Sequence, residues 1–138
     1  MSATARMAAL AAQAVAIAGA LTPWLASIPG VQIALAALTS QHEITRGVPG
    51  AGWIVIGAAA IAASAALAGN HLLVITAAVA QLITIADFTI LEAIRRAPGT
   101  YGAADIAPGC WMVLAASVAG ILIAVASRQT RKHQGAHR

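Results

Sequence analysis

The sequence predicts an all-α fold, and more specifically an integral membrane bundle of four transmembrane helices. Two observations carry this prediction. Of the 138 residues, 60% are hydrophobic and only 9% are charged, and the apolar residues are gathered into four runs. Soluble domains average about 25% charged residues, so a soluble protein of this composition would lack the polar side chains to cover its surface. The mean hydropathy of +0.84 indicates that lipid is the solvent for much of the surface.

Each apolar run is long enough to cross a bilayer as a helix. A hydrocarbon core needs about 20 helical residues, and backbone groups inside it must be satisfied within the segment. The predicted helices cover residues 7–28, 51–68, 72–94 and 110–127. We expect residues 1–127 to form one membrane domain and residues 128–138 to form a basic, disordered cytoplasmic tail.

The first run follows Arg6 and has two interpretations. A secretory signal peptide also pairs a basic residue with an apolar stretch and ends in small residues, here Leu25-Ala26-Ser27. The run is long and rich in Ala and Gly, and its Pro23-Trp24 pair is typical of a helix end at the membrane interface. These features favour a retained helix.

The three connectors between the predicted helices differ in length. Residues 29–50 form the longest, and their apolar centre, residues 31–38, is too short to span the membrane. An interfacial helix and a re-entrant helix both fit this pattern. Residues 69–71 are so few that the second and third helices must be an antiparallel hairpin. Residues 95–109 contain two Pro-Gly pairs that break regular structure.

The distribution of Lys and Arg predicts the orientation in the membrane. Five of the eight belong to the terminal segments, namely Arg6, Arg128, Arg131, Lys132 and Arg138, and three belong to the connectors on the other side. By the positive-inside rule, this predicts a multi-pass plasma membrane protein with both termini in the cytoplasm. The outer interface then receives Trp24, Trp53 and Trp111, which we interpret as interface anchors.

The expected partners are membrane lipids and other membrane proteins. Four of the eight basic residues fall in the last eleven positions. They are either a topology signal or a segment attracted to anionic headgroups. No nucleic acid is expected, because no aromatic residues accompany the basic ones.

A polar stripe in the third helix is the candidate buried site. Gln81, Thr84 and Asp87 recur at three-residue steps and therefore share one slanting face. In a helix over 72–94, Asp87 lies about 6 Å from the membrane midplane, where burying a charged side chain is energetically unfavourable. The stripe is either a proton or cation site or a set of interhelical hydrogen bonds to Thr22, Ser64, Ser117 or a polar group of a partner protein.

The end of the third helix carries a predicted ion pair. Glu92 precedes Arg95 and Arg96 by three and four residues, the spacing at which side chains meet on a helix. This segment is interpreted as a helix end meeting lipid headgroups.

No cofactor, metal site or enzymatic activity is predicted. Motifs such as HExxH, GxSxG, a P-loop or CxxC do not occur. Cys110 is the one cysteine, so neither an intramolecular disulfide nor a multi-thiolate zinc site is possible. A lipid-modifying enzyme using His42 and Glu43 is the weakest hypothesis.

Small residues at four-residue steps predict close helix packing. The fourth helix contains Ala116, Gly120 and Ala124, and the second is rich in Ala. This spacing lets helix backbones approach closely, either within the bundle or against a partner. The leading hypothesis is a non-enzymatic accessory or stabilising subunit of a larger membrane complex, or a homo-oligomer. The alternative is a small channel or transporter subunit for protons or small ions that uses Asp87.

The order of the segments "LTPWLASIPG", "ADFTILEA" and "IAPGCWMVLAASVAGIL" covers most of the chain. In this order the chain resembles small four-span, Ala/Gly-rich membrane proteins common in actinobacteria. That group has no assigned activity. The resemblance therefore implies a four-span membrane fold and no catalytic residues.

Overall fold

The computed structural model describes residues 1–25, 28–33, 50–88 and 106–135, with side chains as far as residue 130. This part of the chain folds into four helices and a short β-hairpin, and it confirms the all-α class. The helices are α1 (Ala3–Leu21), α2 (Ala51–Leu67), α3 (His71–Ala86) and α4 (Pro108–Gly135). The strands are β1 (Pro23–Leu25) and β2 (Ile28–Pro29).

Helix α1 begins earlier and ends earlier than the predicted 7–28. Ser2 caps its start, where the hydroxyl accepts a hydrogen bond from Ala5 N at 3.2 Å. At the other end Pro23 lacks an N–H and forces the preceding residue into extended backbone. Thr22 is extended, with φ −89° and ψ 163°. The proline therefore ends the helix that the prediction carried to residue 28.

A β-hairpin takes the place of the last predicted turns of the first helix. β1 and β2 pair antiparallel with an irregularity in β1. A 3-10 turn over Gly30–Gln32 follows, and Ile33 O accepts a hydrogen bond from Ala51 N at 2.6 Å, which fixes the turn to the start of α2. The predicted interfacial or re-entrant helix falls mostly on residues 34–49, outside the described residues.

Helices α2 and α3 form an antiparallel pair joined by a tight turn. Gly69 has φ +73°, a left-handed conformation that glycine adopts without steric cost. The Asn70 side chain then caps α3 by accepting a hydrogen bond from Leu73 N at 3.1 Å. Residues 87–88 extend α3 as a π-helical turn, and the predicted continuation to residue 94 lies outside the described part.

Helix α4 is longer than the predicted 110–127. Pro108 occupies its first position, where a missing N–H is tolerated. Residues 128–135 are helical, which corrects the expectation of a disordered tail. This segment contains Arg, Gln and Lys, which favour helix, and no Gly or Pro before Gly135, so the helix propagates from the bundle.

The four helices form a closed ring in chain order. α1 packs against α2 and α4, and α3 packs against the same two helices. Consequently α1 and α3 face each other across the bundle axis. Arg6 Nη2 lies 3.7 Å from the position that a Cβ on Gly69 would occupy. The end that holds Arg6, residues 68–72 and Arg128 is named the terminal end; the other, with the strands, is the hairpin end.

The bundle core is built mainly from small side chains. Bulky buried residues gather at the hairpin end, where the Trp24 and Phe88 rings lie 5.4 Å apart and tilted by 56°. In the rest of the described part the buried hydrophobic positions are mostly alanine, for example Ala9, Ala62, Ala66, Ala78 and Ala124.

Two of these helices are long and apolar enough to cross a membrane, judged by length and composition. They are α1 and residues 108–130 of α4. Helices α2 and α3 are also apolar but shorter, with 17 and 16 residues.

Candidate functional site

A hydrogen-bonded cluster, here named the polar node, lies inside the bundle. It consists of Gln13 of α1, Gln81 of α3 and Ser117 of α4, and all three are at most 1% exposed. Gln81 Nε2 donates to Gln13 Oε1 at 2.9 Å. Ser117 Oγ lies 2.9 Å from Gln81 Oε1 and 2.7 Å from Val113 O, so its single proton serves two acceptors.

The polar node lies near mid-height of the bundle. Gln13 is about 12 Å from the hairpin end of α1, and Ser117 is about 13 Å from the start of α4, at 1.5 Å per residue. Because α1 and α3 are diagonally opposite, the Gln13–Gln81 hydrogen bond crosses the bundle axis. The node therefore sets the axial register of three helices at once.

The polar node is neutral and tightly enclosed. A Cβ on Gly120 would lie 3.2 Å from Gln13 Nε2, so the glycine leaves room for this amide. Gln13 Nε2 has no hydrogen-bond partner among the described residues. The node contains no titratable side chain, and its one hydroxyl is already engaged. Its chemistry suits helix packing.

The structure separates the three residues of the predicted polar stripe. Gln81 joins the polar node. Thr84 is buried, but its Oγ1 donates to Ala80 O at 2.9 Å within its own helix. Asp87 is partly exposed in the π-helical turn, while its Oδ2 atom is buried and has no hydrogen-bond partner in the described part of the chain.

Asp87 lies at the hairpin end of the bundle. Its neighbour Phe88 packs on Trp24, which follows the end of α1. Ile85 lines a cavity of about 400 Å³ together with Cys110, in the first turn of α4. These contacts place Asp87 at the hairpin end, near the end of α1 and the start of α4.

One of the three predicted interface tryptophans belongs to the core instead. Trp24 is 0% exposed, and its Nε1 donates to Gly19 O at 2.9 Å. The β-hairpin folds this ring against Gly30, where a Cβ would collide with the indole. Trp53 and Trp111, in the first turns of α2 and α4, are each 55% exposed at the hairpin end.

The remaining predicted polar groups lie outside the described residues. These are the ion pair of Glu92 with Arg95 and Arg96, and the pair His42 and Glu43. Among the residues that the structure describes, no group of three or more His, Cys, Asp and Glu side chains could hold a metal ion.

The outer surface of the bundle is apolar and carries the larger side chains. Exposed large hydrophobics include Met7, Leu21, Trp53, Ile61, Leu67, Leu72, Ile83, Trp111 and Leu122, each more than half exposed. Soluble monomers rarely expose contiguous apolar surface on this scale. Away from the hairpin end, alanine lies inside and the exposed Leu and Ile side chains lie outside, whereas soluble cores are usually rich in the larger residues.

One strip of this surface consists of small residues, and we name it the α2 groove. Its floor consists of exposed small residues that share one face of α2, namely Gly57, Ala60, Ser64 and Ala68. A Cβ at Gly57 would meet nothing within 4 Å, so the strip is uncovered. Ile54 and Ile61, which are 41% and 51% exposed, form a ridge beside it.

Gln13 is the site residue that the sequence analysis did not single out. A buried amide is unfavourable unless it is hydrogen-bonded. Gln13 and Gln81 each interrupt an apolar run in the middle of a helix, and this shared position was the available signal. Pairing them still required knowing that α1 and α3 face each other.

Comparison of this chain with family models, with curated proteins and with solved structures gave no match.

Proposed function

We propose that this chain is an integral membrane protein whose four apolar helices all cross the bilayer. The size distribution of its side chains supports this, because membrane helices associate through small residues and present large apolar ones to lipid. α2 and α3 span about 25 Å and 24 Å, close to the roughly 30 Å hydrocarbon core. Both pack alongside α1 and α4, which are long enough to cross it.

We place both termini on the cytoplasmic side of the plasma membrane. Arg6 and Arg128 lie at the terminal end, and Arg131, Lys132 and Arg138 follow in the sequence. The three other basic residues belong to the segments that connect helices at the hairpin end. This asymmetry agrees with the positive-inside rule.

Within the membrane, the protein acts as a non-enzymatic accessory or stabilising subunit, and the α2 groove is its docking surface for a partner helix. The observation that supports this role is the row of exposed small residues in the α2 groove. Its small residues allow a second helix backbone to approach closely, and dispersion contacts then drive association. The flanking isoleucine ridge, Ile54 and Ile61, supplies side chains that can interdigitate with that helix.

Filling the α2 groove tests this role. The Ala60→Leu variant adds a bulky side chain to the groove floor. Ala115→Leu is the matched control, because Ala115 is also an exposed alanine but lies on α4. Each protein is purified from its native membrane in mild detergent. Stoichiometric subunits are quantified by mass spectrometry, and self-association is measured by chemical cross-linking.

We expect Ala60→Leu to reduce the stoichiometric partner, or the second copy, at least fivefold, and Ala115→Leu to leave it unchanged. Equal free energies of unfolding for the two variants would show that folding is intact. A wild-type protein that is monomeric and alone would refute the subunit role. Equal retention in both variants would refute the α2 groove as the docking surface.

Asp87 motivates a second candidate, a channel or transporter subunit for protons or small ions. The supporting observation is its buried Oδ2 atom, which lacks a hydrogen-bond partner among the described residues. Asp87→Asn keeps the shape of the side chain and removes its charge. For this candidate we expect the variant to abolish ion flux in reconstituted vesicles while the helical fold survives. Unchanged flux would eliminate it.

A further inference from the structure

Two adjoining cavities lie at the terminal end between α3 and α4. The first, of about 300 Å³, is lined by Gly69, Asn70, His71, Leu72 and Arg128. The second, of about 280 Å³, is lined by Ile75, Val125, Arg128 and Gln129. Arg128 belongs to both. The first cavity therefore lies at the polar turn, and the second lies about one helical turn further along α3 and α4, beside Ile75 and Val125.

The charges around these cavities are positive. Arg128 lines both cavities. Gly69 lines the first, and the Arg6 guanidinium lies 3.7 Å from the position that a Cβ on Gly69 would occupy. The start of α3, at His71, also lies in this wall, and a helix N-terminus carries a positive partial charge. Asp87 is the one carboxylate that the structure describes, and it lies at the hairpin end.

In the sequence, Glu43 falls between α1 and α2, and Glu92 and Asp105 fall between α3 and α4. Among the residues that the structure describes, no side-chain carboxylate lies at the terminal end to neutralise Arg6 and Arg128.

We propose that this pair of cavities binds one anionic phospholipid. The phosphate and acidic headgroup lie against Arg128 and the α2–α3 turn, and an acyl chain follows Ile75 and Val125. Basic pockets between transmembrane helices on the cytoplasmic side are suited to anionic headgroups. A zwitterionic lipid such as phosphatidylcholine fits less well, because its ammonium group would face Arg6 and Arg128. This inference rests on the proposed membrane location.

The experiment measures lipid binding to the full chain in mild detergent by native mass spectrometry. The probes are phosphatidylglycerol and phosphatidylcholine with identical acyl chains, with inorganic phosphate as a competitor. Arg128→Gln is compared with Arg138→Gln, which removes the same charge from the end of the chain. Val125→Trp, which fills the second cavity, is compared with Val118→Trp on the same helix, where Val118 is similarly exposed, at 42% against 39% for Val125.

We expect one phosphatidylglycerol per chain, bound at least fivefold more tightly than phosphatidylcholine. Arg128→Gln should weaken phosphatidylglycerol binding about fivefold, which corresponds to about 1 kcal/mol for one basic group. Arg138→Gln and Val118→Trp should change the affinity less than twofold. Val125→Trp should weaken it in the way that Arg128→Gln does, and inorganic phosphate should not displace the lipid.

Three results would overturn the proposal: equal affinity for the two lipids, equal losses in Arg128→Gln and Arg138→Gln, or displacement of the lipid by inorganic phosphate. The last would assign the cavity to a free anion. Extraction of cell membranes with alkaline carbonate is run on the same proteins. Release of the wild-type chain would refute the membrane location itself, whereas retention with unselective lipid binding would refute only this site.

Discussion

Replacing Gln81 by leucine should destabilise the bundle more than any other single change in the polar node. Leucine has a similar volume, so the substitution removes hydrogen bonds without leaving a large cavity. Gln81 takes part in two bonds, to Gln13 Oε1 and from Ser117 Oγ. Its loss leaves the buried Gln13 amide with no partner in the described part of the chain.

The magnitude follows from these contacts. Side-chain hydrogen bonds between membrane helices contribute about 0.6 kcal/mol each, and up to about 1.7 kcal/mol. Leaving a buried amide without a hydrogen-bond partner destabilises the fold further, by about 1–3 kcal/mol. Gln81→Leu should therefore lower the free energy of unfolding by about 2–4 kcal/mol. Gln13→Leu should cost less, about 1–2 kcal/mol, because it strands the buried Gln81 Nε2 but removes one bond instead of two, together with an Nε2 that is already unpaired.

A double-variant cycle isolates the contact across the bundle axis. Once Gln13 is leucine, removing Gln81 no longer strands a buried amide on α1. The double variant should therefore be about 1 kcal/mol more stable than the sum of the two single changes predicts. Gln129→Leu, at an exposed position on α4, is the control and should change stability by less than about 0.5 kcal/mol.

The assay is reversible unfolding in mixed detergent micelles, followed by far-ultraviolet circular dichroism and tryptophan fluorescence. Additivity of the two substitutions within about 0.5 kcal/mol would refute the direct Gln13–Gln81 bond. A loss from Gln81→Leu no larger than that from Gln129→Leu would refute the node as a stabilising element.

Four further predictions concern the hairpin end, the α2 groove and the α2–α3 turn. Gly30→Ala should destabilise the protein by about 1–3 kcal/mol and alter the fluorescence of Trp24, because the new methyl group overlaps the indole. Gly57→Ala, in open space on a helix, should instead stabilise it by about 0.5–1 kcal/mol in the same unfolding assay. Trp24→Phe removes the bond to Gly19 O and should cost about 1 kcal/mol, with a loss of the buried tryptophan emission. Gly69→Ala should cost about 1–2 kcal/mol because φ is +73°, and an unchanged unfolding midpoint would contradict the left-handed turn.

The helical architecture was largely predictable because its causes are local. The apolar runs, the capping residues and the short turn before His71 each act within a few residues along the chain. The start of α2 at Ala51 agrees with the prediction for this reason. The errors also had local signals. Pro23 indicated an earlier end for α1, and helix-favouring residues after position 127 indicated a longer α4.

The candidate site was predictable only in part. The amide of Gln81 in an apolar helix required a partner, and the sequence analysis named Ser117 among the possible ones; the structure joins these two side chains. Asp87 was the charged residue of the predicted stripe, but its position along the bundle axis depended on where α3 lies relative to α1 and α4.

By itself, the sequence determined the helical class, the apolar character of the surface and the excess of basic residues near the termini. These properties follow from composition and from periodicity along one chain. Only the tertiary structure decided that Gln13 pairs with Gln81, 68 residues away, that Trp24 is enclosed, and that α2 leaves its small residues uncovered. Each of these depends on which faces meet when four similar helices pack. With alanine on nearly every face, the sequence pattern alone does not distinguish the inner side of a helix from the outer.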